Sequence, residues 1–130
     1  MISAPRAPPS LTVWRPDAKL TLPMDLAKRK LGLLLSTKPE HPNLDTTIGL
    51  SRTALDRGAY VYLYLIDDAV LAKDRPEIRE LAERGAKLFV CAYGCQKRNV
   101  PLSDPDRFNY CGLVVLTDLI NGCERFFALN

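Results

Sequence analysis

Three short apolar runs, at residues 31–35, 59–66 and 87–91, alternate with two stretches whose apolar residues recur at helical spacing. Nothing else in the chain restricts its fold as strongly. The runs are rich in Leu, Val and Tyr and bounded by polar or turn residues, which suits strands covered on both faces. Between the first two, Leu44, Ile48, Ser51 and Leu55 share one helical face and Gly58 ends the pattern. Between the second and third, Ile78, Leu81 and Ala82 make a second such face, closed by Gly85. Asn43 or Asp45 is expected to cap the first helix. Asp74 and Glu77 have capping-box spacing for the second, and Pro76 fits a first turn, where its missing N–H costs nothing. Strand, helix, strand, helix, strand in this order predicts an α/β fold of βαβ units, with a mostly parallel sheet and right-handed crossovers. Further on, residues 108–111 read as a fourth short strand. Val115, Leu116, Leu119 and Ile120 have helical spacing, and residues 125–129 read as a last strand.

The chain has 130 residues, the usual size of one domain. Residues 1–28 stand apart. They hold half of the ten prolines, so no regular helix runs through them, and they read as an extended arm in front of an α/β domain at 29–130. Leu11, Val13, Trp14, Leu20 and Leu22 in this arm require cover from the chain's own domain or from a neighbour's. Residues 1–30 carry a net charge of +4 and the remainder −1. A nucleic-acid binder would place its basic stripe on the folded domain among stacking aromatics, so no nucleic-acid partner is expected. No apolar run reaches the ~20 residues of a membrane helix. The first ten residues lack an apolar signal core, so the expected location is cytoplasmic, with no membrane partner.

In open parallel sheets, sites form outside the carboxyl ends of the strands. Three such ends can be read here: Ser36-Thr37, Asp67-Asp68 and Cys91. Asp67 and Asp68 are adjacent, so they point opposite ways in extended geometry, and one of them is expected to cap the turn. Cys91 is the candidate nucleophile. A thiol reacts as thiolate, with a free pKa of about 8.5, and the helix expected immediately after Cys91 favours an anion at its start. Cys95 is a candidate second thiol, and Lys97 and Arg98 add positive charge nearby. Cys91 and Cys95 also have the spacing of one zinc-binding pair. Cys111 and Cys123 form no second pair, and the one histidine, His41, is remote, so no metal is expected. No glycine lies between Ser36 and Asn43, which argues against a dinucleotide or phosphate cradle, and no cofactor is expected. A Cys-His-Asp triad would have to use His41.

On these segments the chain resembles the DsrE/DsrF-like family of sulfur-relay proteins, of the TusD/YchN type, over about residues 30–129. The segment at 30–36 is similar to that family's first strand. Tyr62 through Val70 is similar to its strand ending in a Gly-Asp-Ala-Val-like turn, with Asp67 in place of the glycine. Cys91 through Arg98-Asn99-Val100 resembles its Cys, seven residues, Arg-Gly-Val pattern, with Asn99 in place of the glycine. Leu116-Thr117-Asp118-Leu119 and Arg125-Phe126-Phe127 resemble its final helix and strand. The resemblance implies a three-layer sandwich around a sheet of about five strands. It also implies a sulfur carrier, sulfurtransferase-like and not a turnover enzyme, that accepts sulfane sulfur as a persulfide on Cys91 and relays it between donor and acceptor proteins. A ring-shaped homotrimer or homohexamer is implied as well; the arm is not a family feature, and its apolar residues lead to the expectation that it contributes to packing between subunits. YchN-like members carry a second cysteine three residues after the first, whereas Cys95 is four after Cys91. Two alternatives are a thiol–disulfide redox protein using Cys91 and Cys95, and a non-catalytic oligomeric subunit.

Overall fold

The structure, a computed structural model, describes residues 10–13 and 26–130. The element order is β1 (Ser10–Val13), β2 (Lys30–Leu35), α1 (Asn43–Asp56), β3 (Tyr60–Leu65), a 3₁₀ helix (Asp67–Ala72), α2 (Pro76–Glu83), β4 (Lys87–Cys91), α3 (Ala92–Lys97), β5 (Phe108–Cys111), α4 (Leu113–Gly122) and β6 (Arg125–Leu129). Among the described residues the strands form one sheet, ordered β1-β6-β2-β3-β4-β5, and every neighbouring pair is parallel. The five strands expected from the sequence are all present. The sixth comes from the proline-rich arm, whose residues Ser10–Val13 pair with β6 of the same chain and cover that edge. Trp14, Leu20 and Leu22 lie outside the described residues.

Period-2 side-chain alternation and the register divide the sheet into two faces. Leu31, Leu33, Leu35, Val61, Leu63, Leu65, Leu88, Val90, Phe108, Phe127 and Leu129 share one face, and all are buried. Helix α1 packs on this side against β2, β3 and α2. The opposite face carries Gly32, Leu34, Tyr62, Tyr64, Phe89, Cys91, Asn109, Cys111, Phe126 and Ala128. It receives α4, which contacts β2. The chain thus runs β2 to β5 in one direction and returns through α4 to β6, which gives a three-layer α/β/α sandwich. The Phe126 ring lies so close over Gly32 that a Cβ there would run into it, so any larger residue forces the ring to shift.

Several local expectations change in the folded chain. Neither Asn43 nor Asp45 caps α1. Pro42 occupies the cap position, and the Asn43 N–H is donated to His41 Nδ1 at 3.0 Å, so the imidazole takes the capping role. The Asp74–Glu77 capping box does not form. Arg75 holds the cap position without a side-chain bond, while Asp74 is drawn to Lys73 at 3.3 Å and Arg79 at 3.2 Å. A charged partner gives a carboxylate a stronger hydrogen bond than a neutral backbone N–H does. Likewise, neither Asp67 nor Asp68 caps the 3₁₀ helix. Asp67 instead adopts a left-handed backbone (φ 53°), and Asp68 reaches Arg98.

Candidate functional site

Cys91 is both the last residue of β4 and the N-cap of α3, with extended backbone angles (φ −66°, ψ 113°). The sequence makes this junction. A β-forming Leu-Phe-Val run reaches the sheet edge, and the chain turns at once into a short helix. The Cys91 side chain accepts a hydrogen bond from Gly94 N–H at 3.3 Å, so the sulfur takes the place that a Ser or Asp oxygen holds in an ordinary N-cap. Gly94 also sets how closely α3 approaches the 3₁₀ helix. A Cβ there would meet Val70 Cγ1 at 3.3 Å and the Asp67 backbone N at 3.7 Å. Cys91 is 7% exposed. Tyr93, two residues on, stands 70% exposed beside it.

The other two expected site residues take different places. Cys95 lies inside α3 with 0% exposure, and burial pushes its thiol up, against the opposing pull of the Lys73 ammonium. The condition under which a four-residue spacing puts two side chains on one helical face is that both belong to the helix; Cys91 has extended angles and does not. Arg98 follows α3, where its Nε donates to Asp68 at 3.0 Å and its Nη1 to the Gly94 carbonyl at 3.4 Å. It therefore ties α3 to the 3₁₀ helix, its charge is shared with Asp68, and its contact with the Cys91 loop runs through Gly94.

Two neighbours of Cys91 that the sequence reading did not place beside it are Cys111 and Tyr64. β5 pairs with β4 so that Cys111 stands directly beside Cys91. One strand over, on the same face, the Tyr64 hydroxyl donates to the Gly112 carbonyl at 3.0 Å and lies against the Cys111 thiol. Burial first, and then the Cys111 and Cys91 sulfurs, push the Tyr64 phenol up and keep it protonated. Burial likewise raises the Cys111 thiol, with Tyr64 pulling it back down. One sequence signal does point this way. Cys111, like Cys91, closes a short strand immediately before a helix. Cys123 belongs elsewhere. It precedes β6 at the opposite end of the sheet, 3.0 Å from where a Cβ on Gly32 would sit, and burial raises its thiol to about 11.

Ser36 and Thr37 follow β2, with β3 between them and Cys91, and the Ser36 hydroxyl is engaged by Asn130 at 2.9 Å. The strand order reverses between β2 and β6, so Cys91 sits two strands away from the switch point where α/β sheets usually bind ligands.

This fold is similar to that of two solved structures. The ychN protein from E. coli superposes with a TM-score of 0.65 at 15% identity, over 78% of this chain and 98% of that one. A conserved protein of unknown function, BT1422 from Bacteroides thetaiotaomicron, superposes with a TM-score of 0.58 at 18% identity, over 76% of this chain and 93% of that one. No family model and no curated protein matches the chain. The likeness establishes the YchN-type α/β fold that the sequence motifs had suggested. Both glycine departures noted there have a structural account. Asp67 and Asn99 stand where the family pattern has glycine, and both adopt the left-handed backbone that glycine would favour, at φ 53° and 54°. Asp and Asn tolerate that region better than other side chains. Among the described residues, no helix is long and apolar enough to cross a membrane.

Proposed function

We propose that this protein is a sulfur carrier that accepts sulfane sulfur as a persulfide on Cys91 and relays it to a partner protein. The observation that carries the reading is the Cys91 junction: a thiol at a strand's carboxyl end, capping the following helix through Gly94 N–H, on a YchN-type fold. The Gly94 N–H holds the sulfur at the strand end, where the chain turns into α3. The Cys91 thiolate attacks the outer sulfur of a donor persulfide, forming an S–S bond at Cys91 while the donor leaves as thiolate. The reverse step, at an acceptor thiolate, passes the sulfur on. No cofactor enters either step.

Arg98 serves as a positioning residue, holding α3 against the 3₁₀ helix through Asp68. Tyr93, Leu113 and Val114 form an exposed apolar rim next to the Cys91–Cys111 strand ends, the kind of surface that transient protein partners cover. The assembly that fits this reading is a closed homotrimer or homohexamer, in which partners reach that rim.

Intact-mass analysis after incubation with inorganic polysulfide tests the reading. Wild type should gain about 32 Da, the mass of one sulfur atom, and Cys91→Ser should gain nothing while keeping its fold. Loading of Cys91→Ser to the wild-type level would assign the sulfur to another residue. Cys95→Ser should load as wild type does, because Cys95 is enclosed and its thiol is raised.

A further inference from the structure

Strand pairing decides which thiol meets Cys91. Cys91 of β4 and Cys111 of β5 are register partners in a parallel ladder. Neighbouring strands lie about 4.7–4.9 Å apart, inside the range of about 4.4–6.8 Å between Cα atoms that a disulfide requires. Register partners also project to the same face of the sheet, so the two thiols lie on one side of it. That face is the one α4 leaves partly open here, and Cys111 is only half-buried. Cys111 lines a shallow depression with Phe89, Pro105, Asn109 and Val115 at the β5 edge. The Tyr64 hydroxyl is fixed beside the pair by its bond to the Gly112 carbonyl.

We propose that Cys111 is the resolving thiol of Cys91: it attacks the Cys91 persulfide, releases hydrogen sulfide and leaves a Cys91–Cys111 disulfide. The inference rests on the sulfur-carrier reading above. In this step the Cys111 thiolate forms a bond to Cys91 Sγ, and the bond from Cys91 Sγ to the outer sulfur breaks. The bonding pair leaves with the outer sulfur as hydrosulfide, which takes up the proton that Cys111 gave up. The two cysteine sulfurs together lose two electrons, and the sulfane sulfur gains two. The persulfide is therefore the oxidant and no other is needed. A loaded carrier that meets no acceptor discharges in this way, and the disulfide keeps Cys91 from reloading until a cellular dithiol reduces it.

Cys111 is faced by Cys91 from β4 and by Tyr64 from β3. Burial raises the Cys111 thiol, so resolution draws on the minority of chains in which it is thiolate near neutral pH. Its rate should climb about tenfold per pH unit through the neutral range, following the thiolate fraction.

The test loads wild type, Cys95→Ser, Cys111→Ser and Cys111→Ala with inorganic polysulfide without oxygen, removes the excess, and follows intact mass and released sulfide. Wild type and Cys95→Ser should pass from about +32 Da to about −2 Da relative to the reduced chain, with one sulfide per chain. Peptide mapping should place the disulfide between Cys91 and Cys111. Both Cys111 variants should hold the added sulfur. Equal persistence of the +32 Da species in wild type and the two Cys111 variants overturns the role of Cys111 and leaves the carrier reading standing. A disulfide mapped to Cys95, or a persulfide found migrated to Cys111, overturns it as well. Absence of loading in every variant sinks the carrier reading and this step with it.

Discussion

The two faces of the sheet are built from the same strands and do different things. Under α1 and α2 each of β2 to β6 contributes a buried aliphatic or aromatic side chain, and Leu33, Leu35, Leu63, Leu65, Leu88 and Val90 have no exposure. On the other face, Leu34, Tyr62, Phe89 and Cys111 are only half-buried. There Tyr62 and Phe89 stack on each other at 6.5 Å. The first face supplies hydrophobic stabilisation, roughly in proportion to the area it removes from water. The second leaves Cys111 half-buried beside the buried Cys91, and Tyr64 is its polar anchor. Leaving one face of a parallel sheet partly open costs burial energy, and here the opening lies beside the strand ends that carry Cys91 and Cys111.

Adjacent residues of β4 give the sharpest test of that difference. Leu88→Ala, on the closed face, should cost about 2–5 kcal/mol. Phe89→Ala, on the open face, should cost about 1 kcal/mol, the transfer share of a half-covered ring. Urea unfolding of the two variants measures both, and equal losses would mean that the open face is as well packed as the closed one. Gly32→Ala probes a tightly packed spot on the open face. Its Cβ would run into the Phe126 ring, which predicts a loss of about 1–3 kcal/mol, as for other overpacked sites. A neutral result would show that the ring swings away freely and that α4 packs loosely throughout.

Smaller effects are expected where the loop backbone carries strain. Asp67→Gly and Asn99→Gly should each stabilise the fold by about 0.5–1 kcal/mol, because both positions have left-handed φ. Asp67→Val should destabilise it, since a β-branched residue fits that region worst. A glycine variant that lowers the melting temperature would show that the Asp67 side chain has a further role at the Cys91 loop. Arg98→Ala should have the smallest effect on stability, at most about 1 kcal/mol, since its pair with Asp68 is partly exposed and screened. It should nonetheless slow alkylation of Cys91 by iodoacetamide near neutral pH. An unchanged rate across pH 6–9 would remove Arg98 from the site.

What was readable without a structure was local. The alternation of apolar runs with 3.6-residue periodicity, the glycines at 58 and 85, and the placing of Cys91 between a strand and a helix all rest on interactions within a few residues. The five strands and the parallel α/β class follow from them. Local signals misled where another side chain close by in sequence was the better partner: His41 takes the Asn43 N–H at the start of α1, and Lys73 and Arg79 draw Asp74 from its capping box.

The sequence by itself determined that this chain is a parallel α/β domain with Cys91 at a strand end, because hydrophobic period and turn chemistry are written in neighbouring residues. Only the tertiary structure decided that Ser10–Val13 closes the β6 edge, and that the thiol beside Cys91 is Cys111, twenty residues away, and not Cys95, four away. The physical reason is register. Which residues of two parallel strands lie side by side depends on how the intervening helix and loop pack against the whole sheet, and no short stretch of the chain encodes it.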